Sequence, residues 1–209
     1  REILITKENE SLLDNSILVI IPVINPDGHE NSSKYNRINQ DGPTNMGWRV
    51  TAQNLNLNRD YLKADAPEIK EFVKLYNQLD PDIFIDTHTT DGLDMQPVIT
   101  YQAEWQGTVP NVLSEWIKKI YMPQIEKQVE DKGFITGYYV NLNDYNDVTK
   151  GINGWVSSPK LSSGYAAIRN RVGVLIETHS LKPYKERVYA TKAFIEETIK
   201  IANSQNETI

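Results

Sequence analysis

Val172-Gly173-Val174-Leu175-Ile176-Glu177-Thr178 is a short apolar run that ends abruptly in a carboxylate. Its length, continuity and β-branched content predict a strand buried on both faces. Pro81-Asp82-Ile83-Phe84-Ile85-Asp86-Thr87-His88 has the same form and ends in a histidine. Ser16 to Ile24 predicts a third such strand, stopped by the turn Asn25-Pro26-Asp27-Gly28. Gln96 to Tyr101 and Gly133 to Asn141 predict two more.

Helical patterns separate these runs. Asp65 is placed to N-cap a helix, with Pro67 in its first turn and Glu68 reaching back as in a capping box. Ile69, Phe72, Val73, Tyr76 and Leu79 then make one apolar face. Val109 to Lys132 predicts a helix with Leu113, Trp116, Ile120 and Ile125 inward, kinked or split at Pro123. Tyr184 to Ala202 predicts another, with Val188, Ala193, Phe194 and Ile201 in the core. The alternation defines an α/β fold: a central mixed, mostly parallel sheet with helices on both faces. No repeat or linker interrupts it, so residues 1–209 read as a single domain.

Composition removes several classes of function. The chain has no cysteine, which excludes disulfides, thiolate metal sites and a cysteine nucleophile. A net charge of -6 with no basic stripe argues against a nucleic-acid surface. No apolar run approaches the roughly 20 residues of a membrane span. The absence of cysteine leaves the compartment open, with a secreted or periplasmic location the favoured expectation.

In sheets of this kind ligands bind outside the carboxyl ends of the strands. Asp86 and His88 stand at one such end and Glu177 at another. His88 is either a structural histidine paired with its neighbours or a metal ligand, since neutral imidazole suits zinc. Glu177 is either a strand-end partner of Arg169, Arg171 or Arg187, or a partly desolvated general base. His29 reads as a solvated loop residue, and His179 would share the Glu177 face if the strand continued. From His29 to Lys63 the chain has no periodicity, and a loop of that length is usually functional. It closes on Asn54-Leu55-Asn56-Leu57-Asn58-Arg59-Asp60-Tyr61. Arg59 offers a planar fork for a carboxylate or phosphate, and Asn58 offers a donor and an acceptor. By itself the octapeptide reads equally as an Asn-rich turn with a surface arginine. Arg49, after Gly47-Trp48, is a second anion contact or a surface residue.

The ordered set Asn25-Pro26-Asp27-Gly28, Arg49, Asn58-Arg59, a strand ending in His88 and a strand ending in Glu177 resembles the zinc carboxypeptidase family (metallocarboxypeptidase A type, peptidase family M14). The likeness runs from about Ile17 to about Ser180. It implies that Asn58 and Arg59 grip a peptide's terminal carboxylate. It implies that Arg49, with Arg37 as rival, polarises the scissile carbonyl. His88 would be the third ligand of a catalytic Zn2+, and Glu177 the general base that activates the metal-bound water. Tyr165 or Trp155 would line the substrate pocket, and Arg169 would reach the specificity pocket. The implied partner is a peptide with a free C-terminus, with no nucleic acid and no membrane.

Two departures accompany the resemblance. The family's first two ligands come from a His-x-x-Glu upstream of the Asn-Pro-Asp-Gly turn, and this chain has no His-x-x-Glu. The expectation is therefore a catalytic domain missing its N-terminal part, since one histidine does not make a three-ligand site. Asn56 stands where the family often has an Asp that supports a zinc-bound histidine. The implied activity is hydrolysis of C-terminal peptide bonds. The alternatives are a related zinc amidohydrolase or deacylase, and a non-catalytic domain that binds peptide carboxylates. The long loop from His29 to Lys63 leans towards the peptidase.

Overall fold

The computed structural model describes residues 2–3, 5–90 and 93–205. Its main elements, in chain order, begin with a short helix α1 (Pro26–Glu30), helix α2 (Pro67–Leu79) and strands β1 (Ile83–Thr89) and β2 (Ile99–Ala103). Helices α3 (Asn111–Trp116) and α4 (Met122–Asp131) follow, then strands β3 (Thr136–Tyr138), β4 (Asn141–Leu142) and β5 (Ile152–Asn153). Helix α5 (Ser162–Ile168), strand β6 (Val172–Thr178) and helix α6 (Tyr184–Ser204) complete the order.

Four strands form one sheet in the order β1-β6-β2-β3. β1 runs parallel to β6, β2 antiparallel to β6, and β3 parallel to β2, so the sheet is mixed and mostly parallel. β4 and β5 pair separately as a small antiparallel ribbon.

Side chains alternate across each strand, and the two faces build two cores. One face carries Val172, Val174 and Ile176 of β6 with Ile99 and Tyr101 of β2. Trp116, Ile117, Tyr121, Ile125, Ala190 and Phe194 pack over them from α3, α4 and α6. On the other face Phe84 of β1 meets Phe72 and Tyr76 of α2, together with Leu57, Tyr61 and Tyr165. The rings of Phe72 and Phe84 lie 5.4 Å apart, and those of Tyr76 and Tyr165 5.5 Å apart edge-on. Helices thus cover both faces, as the alternating pattern predicts.

Several local expectations change. Ser16 to Ile24 forms no strand: Ile17 is 94% exposed, and Val19, Ile20, Ile21 and Val23 are exposed too. A strand buried on both faces needs a hydrogen-bonding neighbour and a packed layer on each side. Among the described residues no strand pairs with this segment, and its backbone stays irregular. Between α3 and α4 the backbone widens into a π-helical turn over Ile117–Tyr121. Pro123 lies just beyond this turn; it has no N–H to donate and its ring crowds the preceding turn. The helix is therefore continuous through a widened turn rather than broken. Leu79 and Val188, expected in the core, are exposed, whereas Ala193, Phe194 and Ile201 are buried.

The cap of α2 also differs. Ala66, not Asp65, is its N-cap, and no side chain of that residue serves it. The buried Asp60 does so from outside the helix, accepting hydrogen bonds from the N–H groups of Asp65 at 3.1 Å and Ala66 at 2.8 Å. A carboxylate at this end also suits the helix dipole. Asp60→Ala should therefore cost about 1–3 kcal/mol of stability, the usual cost of orphaning buried donors, with Asp60→Asn retaining part of it. Urea denaturation of the two variants measures this, and an unchanged midpoint for Asp60→Ala would refute it.

Candidate active site

β1 and β6 are each seven residues long and run in step, from Ile83 opposite Val172 to His88 opposite Glu177. The two residues that end the apolar runs are thus lateral neighbours at the carboxyl edge of the sheet. Both point to the face of the second core, as does Asp86, two residues before His88. The ring Nε2 of His88 is 2.7 Å from Oδ2 of Asp86, and its Nδ1 is 4.0 Å from Oε1 of Glu177. An Nε2–H donated to Asp86 leaves Nδ1 as the acceptor facing Glu177. Burial pushes the His88 pKa down, but the charge and hydrogen bond of Asp86 and the charge of Glu177 raise it overall. Glu177 is buried, and Thr100 on its other flank donates a hydrogen bond to its carbonyl oxygen at 3.2 Å. Thr178 ties the pair further, its hydroxyl donating to the carbonyl of His88 at 3.1 Å.

The opposing positive charge comes from Arg49. It is exposed, and it lies close enough to depress the His88 pKa against the two carboxylates. Arg37 lies in a separate turn, with φ at +52° and its carbonyl accepting from the N–H of Gln40 at 2.9 Å.

The stretch from Asn54 to Tyr61 comes alongside by hydrophobic anchoring. Leu57 and Tyr61 are buried in the second core, and Asp60 turns inward to α2. Leu57–Arg59 forms one turn of 3-10 helix between these anchors. Asn58 and Arg59 are left on the outer side, the first half-buried and the second exposed. Arg59 Nη1 donates to the carbonyl of Asn58 at 2.6 Å, which steadies the guanidinium beside its neighbour. The Tyr61 ring is 6.3 Å from that of Phe84, and the charge of Asp86 reaches its hydroxyl. That contact sets the turn against β1.

Other candidates go elsewhere. Tyr165 is 7% exposed, and its ring packs in the second core against Tyr61 and Tyr76. Arg169 lies at the C-terminus of α5, just before β6 begins, where its charge acts on Asp80 and Tyr76. That is the opposite edge of the sheet from Glu177, a strand length of about 20 Å away, so it does not reach a pocket at this site. Arg171 pairs with Asp80 and Asp82. Arg187 donates to the carbonyls of Asp41 and Lys182. β6 ends at Thr178; His179, the next residue, is fully buried, its Nδ1 3.4 Å from the Thr90 hydroxyl, and burial lowers its pKa. His29 sits exposed on α1 beside Glu30. Trp155 stacks edge-on with Tyr139 at 5.0 Å, and its carbonyl accepts from Gln102 at 2.7 Å. Asn56 is half-buried at the start of the 3-10 turn, with no capping hydrogen bond from its side chain.

The role of Asp86 is legible in retrospect: at two residues before His88 on a strand, it must share the His88 face. Glu104, just beyond β2, had no such signal. It is 2% exposed and accepts from the N–H of Ser157 at 3.2 and 3.3 Å, with the Ser163 hydroxyl at 3.5 Å. It pins Ser157 and the start of α5 against the sheet.

A catalytic zinc site needs three protein ligands. Among the described residues no group of three His, Asp, Glu or Cys could hold a metal ion. His88 fits the part of one ligand: a carboxylate fixes one ring nitrogen and the other is left as acceptor, as in ligating histidines. The described residues alone do not complete the site.

The zinc carboxypeptidase (peptidase M14) family model matches residues 4–186, and the chain belongs to that family. Among solved structures it is similar to a metallo-carboxypeptidase from Burkholderia cenocepacia, at 14% identity and a TM-score of 0.59 over 88% of this chain. It is also similar to a Shewanella denitrificans OS-217 protein assigned as a carboxypeptidase A, at 16% identity and a TM-score of 0.57 over 89% of this chain. At these identities the likeness establishes the fold. The chain spans about half the length of these structures, 45% and 46% of them. No curated protein matches it. No helix among the described residues is long and apolar enough to cross a membrane.

Burial raises the Glu104 pKa from its ordinary value of 4.5, outweighing the Ser157 and Ser163 hydrogen bonds that lower it. A carboxyl whose folded pKa is raised favours the folded state below its ordinary value, and that contribution is lost as pH rises through the folded value. Glu104→Gln keeps an acceptor for Ser157 and removes the titration. Its stability relative to the parent protein should therefore increase between pH 4 and pH 8 in urea denaturation. A difference that does not change with pH would refute this.

Proposed function

We propose that the protein acts as a zinc-dependent carboxypeptidase, with His88 as one ligand of the metal and a peptide bearing a free C-terminus as substrate. The observation that carries this reading is the pairing of His88 with Glu177 across β1 and β6, with Asp86 behind the imidazole. The zinc carboxypeptidase family match supports it.

In this mechanism the substrate's terminal carboxylate meets the Arg59 guanidinium and the Asn58 amide. A planar fork is suited to two parallel hydrogen bonds, which fixes the position of the last peptide bond. Glu177 takes a proton from the attacking water as its oxygen bonds to the scissile carbonyl carbon. The carbonyl oxygen becomes an oxyanion, and the exposed guanidinium of Arg49 meets that charge. The C–N bond then breaks, and Glu177 returns the proton to the leaving amine.

The terminal-carboxylate reading is tested by calorimetric binding of one peptide in two forms, with a free and with an amidated C-terminus. The free acid should bind about 10- to 100-fold more tightly, the worth of charge-assisted hydrogen bonds. Arg59→Ala should erase that preference. Equal affinity for the two forms would overturn the reading. In protein competent for turnover, Glu177→Gln should lower kcat by about 10²- to 10⁴-fold and leave the peptide Kd nearly unchanged. A parallel loss of affinity would instead assign Glu177 a structural role.

A further inference from the structure

Asn25-Pro26-Asp27-Gly28 forms the N-cap and first turn of α1, and the mechanism makes no use of its contacts. Its hydrogen bonds and contacts converge on Gly47–Ala52, the bow of chain that carries Arg49. The Asn25 side chain accepts from the Gly28 N–H at 2.9 Å, and its amide nitrogen is 3.4 Å from the Arg49 carbonyl. The Gly28 carbonyl accepts from the Trp48 N–H at 2.7 Å. Asp27 Oδ2 accepts from the Ala52 N–H at 2.8 Å. The bow is thus held at positions 48, 49 and 52, on both sides of the arginine. The fit leaves no room for side chains. A Cβ on Gly28 would lie 2.3 Å from the Trp48 carbonyl oxygen, and one on Gly47 2.7 Å from that of Gly28.

Arg49 itself is exposed, and a long exposed side chain is the least preorganised kind. An oxyanion contact is effective when its donor is already in place. With the side chain in solvent, the backbone must supply the order. We propose that Asp27 is a positioning residue for Arg49: its carboxylate, gripping the Ala52 N–H, sets the bow so that the guanidinium faces the His88–Glu177 end of the sheet. The inference rests on the role given to Arg49 above.

The experiment uses two probes on the full chain. One is an N-acyl dipeptide. The other is the same molecule with a phosphonate in place of the scissile amide, which presents anionic oxygens where the oxyanion would form. Binding is followed by NMR through the side-chain Nε–H resonances of arginine. Asp27→Ala should weaken phosphonate binding about fivefold or more relative to the amide, whose grip is Asn58-Arg59. Asp27→Asn, which keeps an acceptor for Ala52, should restore it to within about twofold. Asn25→Ala, which cuts the other tethers, should follow Asp27→Ala and keeps the test decisive if that variant does not fold. If Arg49→Ala weakens phosphonate binding and the Asp27 and Asn25 variants do not, or if they weaken both probes equally, the inference is overturned. If the parent chain does not bind the phosphonate, or Arg49→Ala leaves its binding unchanged, the role of Arg49 fails first and the inference falls with it.

Discussion

The register between β1 and β6 is the constraint on which the site depends. His88 and Glu177 are neighbours because two seven-residue strands run parallel and in step. Both faces of the sheet are packed, which fixes that register. A slip of one residue would exchange the faces of β6, turning Glu177 into the core of Tyr101, Trp116 and Phe194 and bringing Val174 and Ile176 out of it. Each buried aliphatic side chain contributes about 1.5–3 kcal/mol, so the slipped pairing is heavily disfavoured. Gly173 contributes in another way. A Cβ there would lie 2.6 Å from the Ser163 carbonyl oxygen, so only glycine lets α5 pack closely on β6.

Around this rigid edge the long loop is assembled at separate anchor points. Leu57 and Tyr61 enter the second core, and Asp60 caps α2. The polar pair Asn58-Arg59 is left outward by that anchoring. Farther upstream, the Asn-Pro-Asp-Gly turn grips the backbone that carries Arg49. The two cationic groups are thus held differently: Arg59 by burial of its neighbours, and Arg49 by hydrogen bonds to its main chain. The anionic groups beside His88, Asp86 and Glu177, sit on the sheet itself.

What the sequence made legible follows from how far each signal reaches. A strand that ends in His or Glu announces itself locally, and β6 spans the seven residues read from its composition, Val172–Thr178. The sheet type, the helices on both faces and the family were likewise readable from patterns within single segments and from their order. Ser16 to Ile24 shows the limit of such patterns. Apolar continuity says what a segment is suited to, not whether the described chain contains its partner. Arg169 was placed by the resemblance alone, which carries no direction along the fold: α5 feeds β6 from the far end of the sheet, which puts Arg169 a strand length from Glu177. The grip of Asp27 on Ala52 joins residues 25 apart through a backbone N–H, a bond that side-chain identity does not encode.

The unpaired segment from Ile17 to Val23 also bears on the chain's behaviour in bulk. It presents five exposed β-branched residues in a row of seven, with no charge among them. Among the described residues β1 also lies at the edge of its sheet, with no strand beyond it. Natural proteins guard such features with charges, prolines or coverage, because unguarded ones pair with their like. The net charge of -6 repels copies at long range, but salt screens that repulsion within about 10 Å. Pro22 inside the stretch is one such guard, and the net charge, which salt screens, is another.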